Sequence, residues 1–190
     1  MEMKGSRTEK NLMAASAGES QARNRYSFYA KVAEEEGYLQ IAKVFLETAD
    51  NERAHAYSFF SLLDGGMPEL AASYPAGPVN GTAQNLRDAA DGELLEWGTL
   101  YPDFAEVAEE EGFKRAAAAF RKATEAEKYH ELRYRKLLAL LEEEQVFSRA
   151  ETTKWKCDEC GYVHEGSDAP KVCPLCGKPQ SYFGVYCETY

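Results

Sequence analysis

The chain has 190 residues, which is enough for one domain of ordinary size and a small second module. Its formal net charge of −10 argues against binding to nucleic acid. Residues 1–12 are polar and charged, and no later stretch approaches membrane-spanning length, so we expect neither a signal peptide nor a membrane helix. We therefore expect a cytoplasmic protein, and in that reducing compartment clustered cysteines bind metals more often than they form disulfides.

Composition divides the chain near residue 150. The first 150 residues are rich in Ala, Glu, Leu, Lys and Arg and contain no cysteine, whereas the remainder contains all five cysteines. A change of this kind is typical of a domain boundary. We expect a helical domain over residues 1–145, a linker over 146–154 and a cysteine domain over 155–190.

The helical part contains an internal repeat. Residues 32–38, VAEEEGY, recur at 107–113 as VAEEEGF, a shift of 75 residues. The same shift relates a tyrosine and a Glu-x-x-His unit of each copy, namely Tyr26 with Tyr101 and Glu52–His55 with Glu127–His130. The domain is therefore predicted to be two copies of one helical pair, each pair interrupted at a glycine that stops a helix.

Four long helices are predicted from this repeat, at about 6–36, 38–64, 83–111 and 113–144. Ser6-x-x-Glu9 is typical of a capping box at the start of the first helix. Residues 65–81 contain three prolines and are too many for a hairpin, but enough to run the length of a bundle. A connection of this kind indicates a mainly α, ferritin-like four-helix bundle with a long crossover.

Each predicted helix has an apolar seam with one glutamate near its middle. These glutamates, with three further side chains one turn away on the same faces, form the candidate site: Glu19, Glu52, His55, Glu93, Glu96, Glu127 and His130. Burying five carboxylates without cations would cost several kcal/mol for each unpaired charge. A Glu from each of two helices plus Glu-x-x-His from each of the other two is the ligand set of di-iron and di-manganese carboxylate proteins. We expect two metal ions, and iron or manganese suits these ligands better than structural zinc.

The third helix contains one irregularity. The shift of 75 residues relates Glu19 to Leu94 and not to Glu93, which predicts a one-residue insertion such as a π-bulge. Without regard to that insertion, the interior seam is predicted to continue through Trp97, Leu100, Phe104 and Val107. Tyr26 and Tyr101 lie about two turns from the glutamates of their helices, where they either bond the metal carboxylates or simply pack in the core.

The cysteine domain contains two knuckles. Cys157-x-x-Cys160 and Cys173-x-x-Cys176 are typical of a tetrahedral four-sulfur site. Such a site holds either zinc or iron, so the spacing alone leaves open a structural zinc ribbon and a mononuclear iron site. Trp155, Tyr162 and Phe183 are expected to shield it. Cys187 lies outside both knuckles and is interpreted as a free thiol; neither it nor residues 188–190 are given a role.

In this combination of motifs, including the segment GESQARNRY at 18–26, the chain resembles the rubrerythrin family over nearly its whole length. The resemblance implies a non-haem di-iron peroxidase, of the NADH peroxidase type, that protects oxygen-sensitive microbes from oxidative stress by reducing hydrogen peroxide to water. It implies that a rubredoxin-like iron returns the electrons. It also implies ligand roles: Glu52 and Glu127 bridge the irons, Glu19 binds the first and Glu93 with His130 the second. Glu96 and His55 would alternate on the first iron, the carboxylate when it is oxidised and the imidazole when it is reduced.

Two other functions compete with this interpretation: iron storage or oxidation without redox turnover, and a zinc-ribbon interaction protein with a di-metal scaffold. The cysteine domain favours the reductase, because a two-electron reduction needs a carrier that restores the reduced metals. The expected partners are hydrogen peroxide, with dioxygen unranked as an alternative oxidant, and an external flavoprotein or small redox carrier. No nucleotide-binding glycine loop is present, so NADH should not bind directly.

A head-to-tail homodimer is the expected assembly. Glu127 lies 17 residues before Glu144, the predicted end of the last helix. That separation corresponds to about 25 Å along a helix, which is long for electron transfer to the site of the same chain. An antiparallel partner would bring its own cysteine domain beside the middle of this bundle, and the family resemblance indicates the same arrangement.

Overall fold

The structure is a computed structural model that describes residues 2–188. Residues 1, 189 and 190, which belong to the expected domains, lie outside the described part. In this part of the chain six helical segments come first, followed by a small sheet. Their bounds are α1 Arg7–Glu35, α2 Leu39–Phe60, α3 Thr82–Leu95, a π-helix Glu96–Leu100, α4 Tyr101–Glu110 and α5 Lys114–Glu142. No helix in this described part is long and apolar enough to cross a membrane.

The helices form a four-helix bundle, because α3, the π-helix and α4 are consecutive parts of one long helix. Within each half of the repeat the two helices pack together, α1 with α2, and α3 and α4 with α5. Two apolar clusters fill the bundle, one centred on Tyr26, Phe45 and Tyr134 and the other on Phe59 and Phe120. The four seam glutamates lie between these clusters. The long crossover runs beside α1, where Tyr74 donates a hydrogen bond of 2.9 Å to the carbonyl of Ala14. This is the ferritin-like architecture.

The π-helix confirms the insertion that the repeat predicts. It also makes the predicted seam beyond it wrong. Trp97, Leu100, Phe104 and Val107 are only partly buried, and the buried positions are instead Tyr101, Ala105 and Ala108. One extra residue turns the rest of the helix by about 100°, so a different set of side chains faces the core. The indole of Trp97 donates a hydrogen bond to Glu131 at 3.0 Å at the surface.

The second predicted helix is shorter than expected. It ends at Phe60 and not near residue 64, because the amides of Leu62 and Leu63 bond carbonyls three residues back, which tightens the last turn. Gly65 and Gly66 follow with φ of 88° and 97°, a backbone that other residues rarely adopt. At the start of α1, Ser6 Oγ accepts from the amide of Glu9, but Glu9 accepts from the amide of Gly5 at 2.7 Å, so only half of the predicted capping box forms.

Each half of the repeat caps the first helix of the other half. Glu36, at the end of α1, accepts a hydrogen bond from the amide of Thr82 at 3.1 Å, where α3 begins. Its counterpart Glu111 accepts from the amides of Arg7 and Thr8 at 3.2 and 2.9 Å, where α1 begins. Free amides and a positive dipole end favour a carboxylate at these positions. The two halves are thereby joined at both ends of the duplicated unit.

The small domain is a three-stranded antiparallel sheet in the order β2-β1-β3, with β1 Ser148–Cys157, β2 Val163–Asp168 and β3 Phe183–Val185. The expected linker, 146–154, is therefore mostly strand: β2 supplies a pairing partner as far back as Ser148. Trp155, Cys157, Cys173 and Phe183 are buried together in its core.

The sheet domain rests on the end of its own bundle. Tyr38 stacks on Phe147 with ring centroids 6.3 Å apart, and Lys43 forms an ion pair of 2.5 Å with Asp158, next to Cys157. Lys43 precedes Glu52 by nine residues on α2. Nine residues of helix correspond to about 14 Å, so the cysteine site lies beside a point on α2 about 14 Å along the axis from Glu52. This axial distance is shorter than the roughly 25 Å estimated from the length of the last helix.

Candidate metal centres

The helices bring the seam glutamates to one level of the bundle. The side chains of Glu19, Glu93 and Glu127 are 0% exposed and that of Glu52 is 1% exposed. His55 and His130, one turn along α2 and α5, are 20% and 10% exposed at the edge of the same level. The carboxylates are therefore enclosed, and the imidazoles form the side of the site nearest to solvent.

Two groups of ligand atoms form within this level. Glu19, Glu52, His55 and Glu127 make one group, and Glu52, Glu93, Glu127 and His130 make the other; within each group the atoms lie within 4.8 Å of one another. Glu52 and Glu127 belong to both. Glu127 directs one oxygen to within 2.9 Å of His55 Nδ1 and the other to within 2.7 Å of His130 Nδ1. Each shared carboxylate thus presents one oxygen to each position, as in a bridging ligand.

The orphaned polar atoms of the site fit metal ions. Glu19, Glu52 and Glu93 each have one buried oxygen without a hydrogen-bond partner, and Glu127 has two. His130 Nδ1 is also without one, although it lies close to Glu127, because the two atoms do not point at each other as in a hydrogen bond. Buried oxygens without donors are costly. Two cations, one within each group of ligand atoms, would satisfy these lone pairs.

The two buried tyrosines cross between the halves of the repeat. Tyr26 on α1 donates to Glu93 on α3, and Tyr101 on α4 donates to Glu19 on α1. Both tyrosines are also part of the apolar clusters. A tyrosine of the first half therefore orients Glu93 of the second half, and a tyrosine of the second half orients Glu19 of the first.

Glu96 lies apart from both groups of ligand atoms found among residues 2–188. It lines a cavity of about 1080 Å³ between α1, the crossover and the π-helix, together with Gly18, Arg25, Gly92 and Tyr101. His55 occupies the first group instead. The structure therefore has the imidazole, and not the Glu96 carboxylate, among the ligand atoms of that position.

Burial and mutual repulsion set the charges of the site in the absence of metal. Burial, and then the charge of Glu52, raise the pKa of Glu19 well above its usual value and that of Glu93 to about 8. Burial lowers the pKa of each histidine, but the carboxylates of Glu127 and Glu52 outweigh it. They raise the pKa of His55 to about 10 and that of His130 to about 12. The metal-free site therefore holds protons at neutral pH, and metal ions must displace them.

We expect the metal-free bundle to lose stability as the pH rises from about 5 to 8. In the unfolded chain Glu93 releases its proton near 4.5 and the histidines near 6.5, whereas the folded site keeps these protons up to the higher pKa values. Because the folded state binds more protons in this pH range, raising the pH favours unfolding. Each unit of pKa difference is worth about 1.4 kcal/mol, so the free energy of unfolding should fall by a few kcal/mol. Urea unfolding of chelator-treated protein, followed by its helical signal, measures this. In a Glu93→Gln variant the free energy of unfolding should fall less over the same pH range. If the stability of the metal-free wild type stays level or rises with pH, the proposed protonation of the site is wrong.

The four knuckle cysteines form the second candidate site. The Sγ atoms of Cys157 and Cys176 are 3.7 Å apart, and those of Cys160 and Cys173 are 3.6 Å apart. A tetrahedron with metal–sulfur bonds of about 2.3 Å has edges of about 3.8 Å, so one ion fits between them. Each knuckle closes on a glycine with positive φ, Gly161 or Gly177, whose amide bonds the carbonyl of the first cysteine. Cys187 is exposed and lies outside this group.

Three residues that shape the site were not singled out from the sequence. Glu36 and Glu111 each cap the first helix of the other half of the repeat. Their position as the third glutamate of each EEE run is the sequence feature that could have indicated them. Arg25 is buried beside the cavity, whereas Arg23 on the same helix is exposed. Two arginines separated by one residue give no signal that distinguishes the buried one.

A ferritin-like bundle with a carboxylate and histidine dimetal site, joined to a four-cysteine domain, defines a class of iron proteins. The family model of rubrerythrin matches residues 10–138, and that of the rubrerythrin rubredoxin-like domain matches residues 155–184. The chain belongs to the rubrerythrin family, a family of iron-dependent oxidoreductases. It carries the di-iron site and the rubredoxin-like four-cysteine iron site of that family.

Relatives share this organisation over nearly their whole length. A rubrerythrin of Porphyromonas gingivalis is 58% identical over 95% of this chain and 90% of its own length. A rubrerythrin of Nitratidesulfovibrio vulgaris is 47% identical over 95% of both chains. Among solved structures, fully reduced, all-ferrous nigerythrin superimposes with a TM-score of 0.65 at 34% identity, covering 96% of this chain and 87% of that chain.

Proposed function

We propose that the protein is a peroxide reductase that converts hydrogen peroxide to water at the di-iron site, with electrons supplied through the four-cysteine iron. The observation that carries this proposal is the pairing of a dimetal site with a dedicated one-electron carrier in one chain. Iron storage needs no such carrier. The reducing cytoplasm is the compartment we propose, since four free knuckle cysteines suit it.

We propose ligand roles that the two groups of ligand atoms support. Glu52 and Glu127 would be shared by the two irons, Glu19 and His55 would hold the first, and Glu93 and His130 would hold the second. As the family resemblance implies, Glu96 would take the place of His55 on the first iron when the site is oxidised. Two irons held there would supply the two electrons that hydrogen peroxide needs, and with two protons the peroxide would give two water molecules. Tyr26 and Tyr101 hold the terminal carboxylates in place through their hydroxyl groups.

Peroxide and electrons reach the site from different sides in this proposal. The cavity beside Glu96 and Tyr101 leads from the surface to the carboxylate side of the site and is large enough for peroxide and water. The histidines lie at the opposite, partly exposed edge, on α2 and α5. Separate entrances allow the oxidant to bind while an electron carrier remains docked.

We further propose a head-to-tail homodimer in which the cysteine domain of each chain docks on α2 and α5 of its partner. That face of the bundle exposes large apolar side chains: Tyr57 (73%), Phe60 (60%), Tyr129 (72%) and Leu132 (48%). The cysteine domain exposes Val172 (59%) and Leu175 (67%) beside its metal site. Burying these surfaces against each other would bring the four-cysteine iron to the histidine side. An external flavoprotein or small carrier would reduce that iron.

The iron-loaded protein, supplied with a chemical reductant, should consume hydrogen peroxide over many turnovers. Each turnover should oxidise two equivalents of reductant per peroxide, and the visible spectrum of the four-cysteine iron should bleach and return. The measurement is peroxide loss together with that spectrum. A protein that takes up ferrous iron and accumulates a ferric mineral, without catalytic loss of peroxide, would instead be a storage protein.

A further inference from the structure

Arg25 is a buried cation without an ionic partner. Its side chain belongs to a residue only 8% exposed, and its Nε has no hydrogen-bond partner. Among the described residues no carboxylate oxygen lies within 4.0 Å of its guanidinium. Its one close ring contact is with Tyr26, whose centroid is 5.4 Å away. An unpaired charge in such a place is costly, so a partner that arrives in another state of the protein would account for it.

The bundle leaves room for this guanidinium at Gly92. A Cβ on Gly92 would lie 3.4 Å from Arg25 Nη2, which is close to the contact limit. Glycine in the middle of a helix is unfavourable compared with alanine, and Gly92 lies within α3 immediately before the ligand Glu93. The absence of a side chain at this position lets the guanidinium lie against the helix that carries Glu93 and Glu96.

Glu96 is the carboxylate that this guanidinium can receive. Both side chains line the same cavity, and Glu96 lies apart from the described ligand groups. Burial and nearby carboxylates raise the pKa of Glu96, and the charge of Arg25 opposes that rise. Burial lowers the pKa of Arg25, but nearby Tyr26 and Tyr29 raise it, and the charge of Glu96 adds to that rise.

We propose that Arg25 is a positioning residue that, once metal ions are bound and His55 occupies the first position, draws the Glu96 carboxylate to itself on the cavity side of the site. It thereby sets the balance between the two ligand arrangements. This inference rests on the proposed roles of Glu96 and His55. When Glu96 moves to the metal, Arg25 loses its counter-charge, and this loss opposes the move. The guanidinium is not a metal ligand, and it acts on the metal site through Glu96.

The first test is the structure of the zinc-loaded protein, since zinc is divalent and undergoes no redox change. In the wild type, Glu96 should lie beside Arg25 and His55 should bind zinc. In Arg25→Gln, which removes the charge, Glu96 should bind zinc. Arg25→Met provides an apolar replacement in case the glutamine variant does not fold. Arg25→Lys keeps the charge and should restore the wild-type arrangement. If Glu96 remains in the cavity in the folded neutral variants, the proposal is overturned.

The second test is the midpoint potential of the di-iron pair, measured by spectroelectrochemical titration. A carboxylate that stays on the metal favours the ferric ions. In Arg25→Gln the ratio of reduced to oxidised protein at a fixed potential should therefore fall at least tenfold, a decrease of about 59 mV for a one-electron step. Arg23→Gln makes the same change at an exposed site on the same helix and should leave the potential unchanged.

These measurements separate the inference from the proposed function. A purely structural Arg25 would lower the thermal midpoint of Arg25→Gln but leave the zinc ligands and the potential as in the wild type, which would overturn its positioning role. A wild-type protein that does not reduce peroxide would refute the proposed function, whereas the zinc structures would still decide whether Arg25 positions Glu96.

Discussion

Glu127→Ala is expected to abolish peroxide reduction and to remove both irons of the bundle, while the four-cysteine iron remains. Glu127 presents one oxygen to each metal position, so its loss removes a ligand from both at once. Glu52→Ala should have the same effect, because Glu52 also belongs to both groups. Each position would keep a single carboxylate of its own and one shared one. Iron analysis and the peroxide assay measure the two effects.

The matched control is Glu125→Ala, on the same helix. Glu125 is exposed and, among residues 2–188, pairs with Lys122 alone at 3.0 Å, an interaction worth about 1 kcal/mol or less. Its removal should change neither the iron content nor the activity. A Glu127→Ala protein with a full iron load and normal turnover would refute the bridging role. Far-ultraviolet circular dichroism of both variants verifies that the bundle is folded.

Mixed dimers are expected to recover activity that neither parent variant has. A Cys173→Ser chain keeps its di-iron site but has lost a ligand of the electron-transfer iron. A Glu127→Ala chain has the opposite defect. If the cysteine domain of one chain serves the di-iron site of the other, a mixed dimer contains one working pair. Its activity per dimer should approach half that of the wild type, from a background near zero in each parent.

This experiment distinguishes electron transfer between chains from electron transfer within one chain. The cysteine domain rests on its own bundle through Lys43 and Asp158, beside a point about 14 Å along α2 from Glu52. A route within one chain is thus shorter than the last helix alone suggested. Mixed dimers, verified by two affinity tags, that show no activity would favour that internal route. Two wild-type tags in the same mixing protocol provide the control for assembly.

The sequence predicted much of the bundle because its information is periodic. A shift of 75 residues relates helices, tyrosines and Glu-x-x-His units, and one mismatch at Glu93 predicts the π-helix. What periodicity does not contain is the rotation of helices about one another. The crossing of Tyr26 to Glu93 depends on that rotation, whereas the change of interior face after Leu100 follows from the extra residue in the π-helix. The end of α2 depends on local amide bonding, which the helical composition of residues 61–63 does not indicate.

The burial of Arg25 illustrates the same limit at one residue. Arg23 and Arg25 are chemically identical, and only the packing of α1 against α3 separates an exposed side chain from a buried one. Glu96 likewise satisfied the pattern of a ligand, one turn from Glu93. Its place in the cavity follows from the π-helix that begins at this residue. Local irregularity, rather than the repeat, thus decides where these two side chains lie.

The reciprocal caps and crossed tyrosines have a consequence for the ancestry of the fold. A chain with one helix pair would lack both the carboxylate that begins its first helix and the hydroxyl that orients its glutamate, unless a second copy supplied them. The bundle is therefore built like a symmetric dimer whose subunits were joined by duplication and fusion. The inserted residue breaks that inherited symmetry, and Glu96 has no glutamate as its counterpart, since the shift of 75 relates it to Gln21. Two metal positions that began as equivalents were thereby able to diverge, and under the proposed ligand exchange Glu96 serves only the first of them.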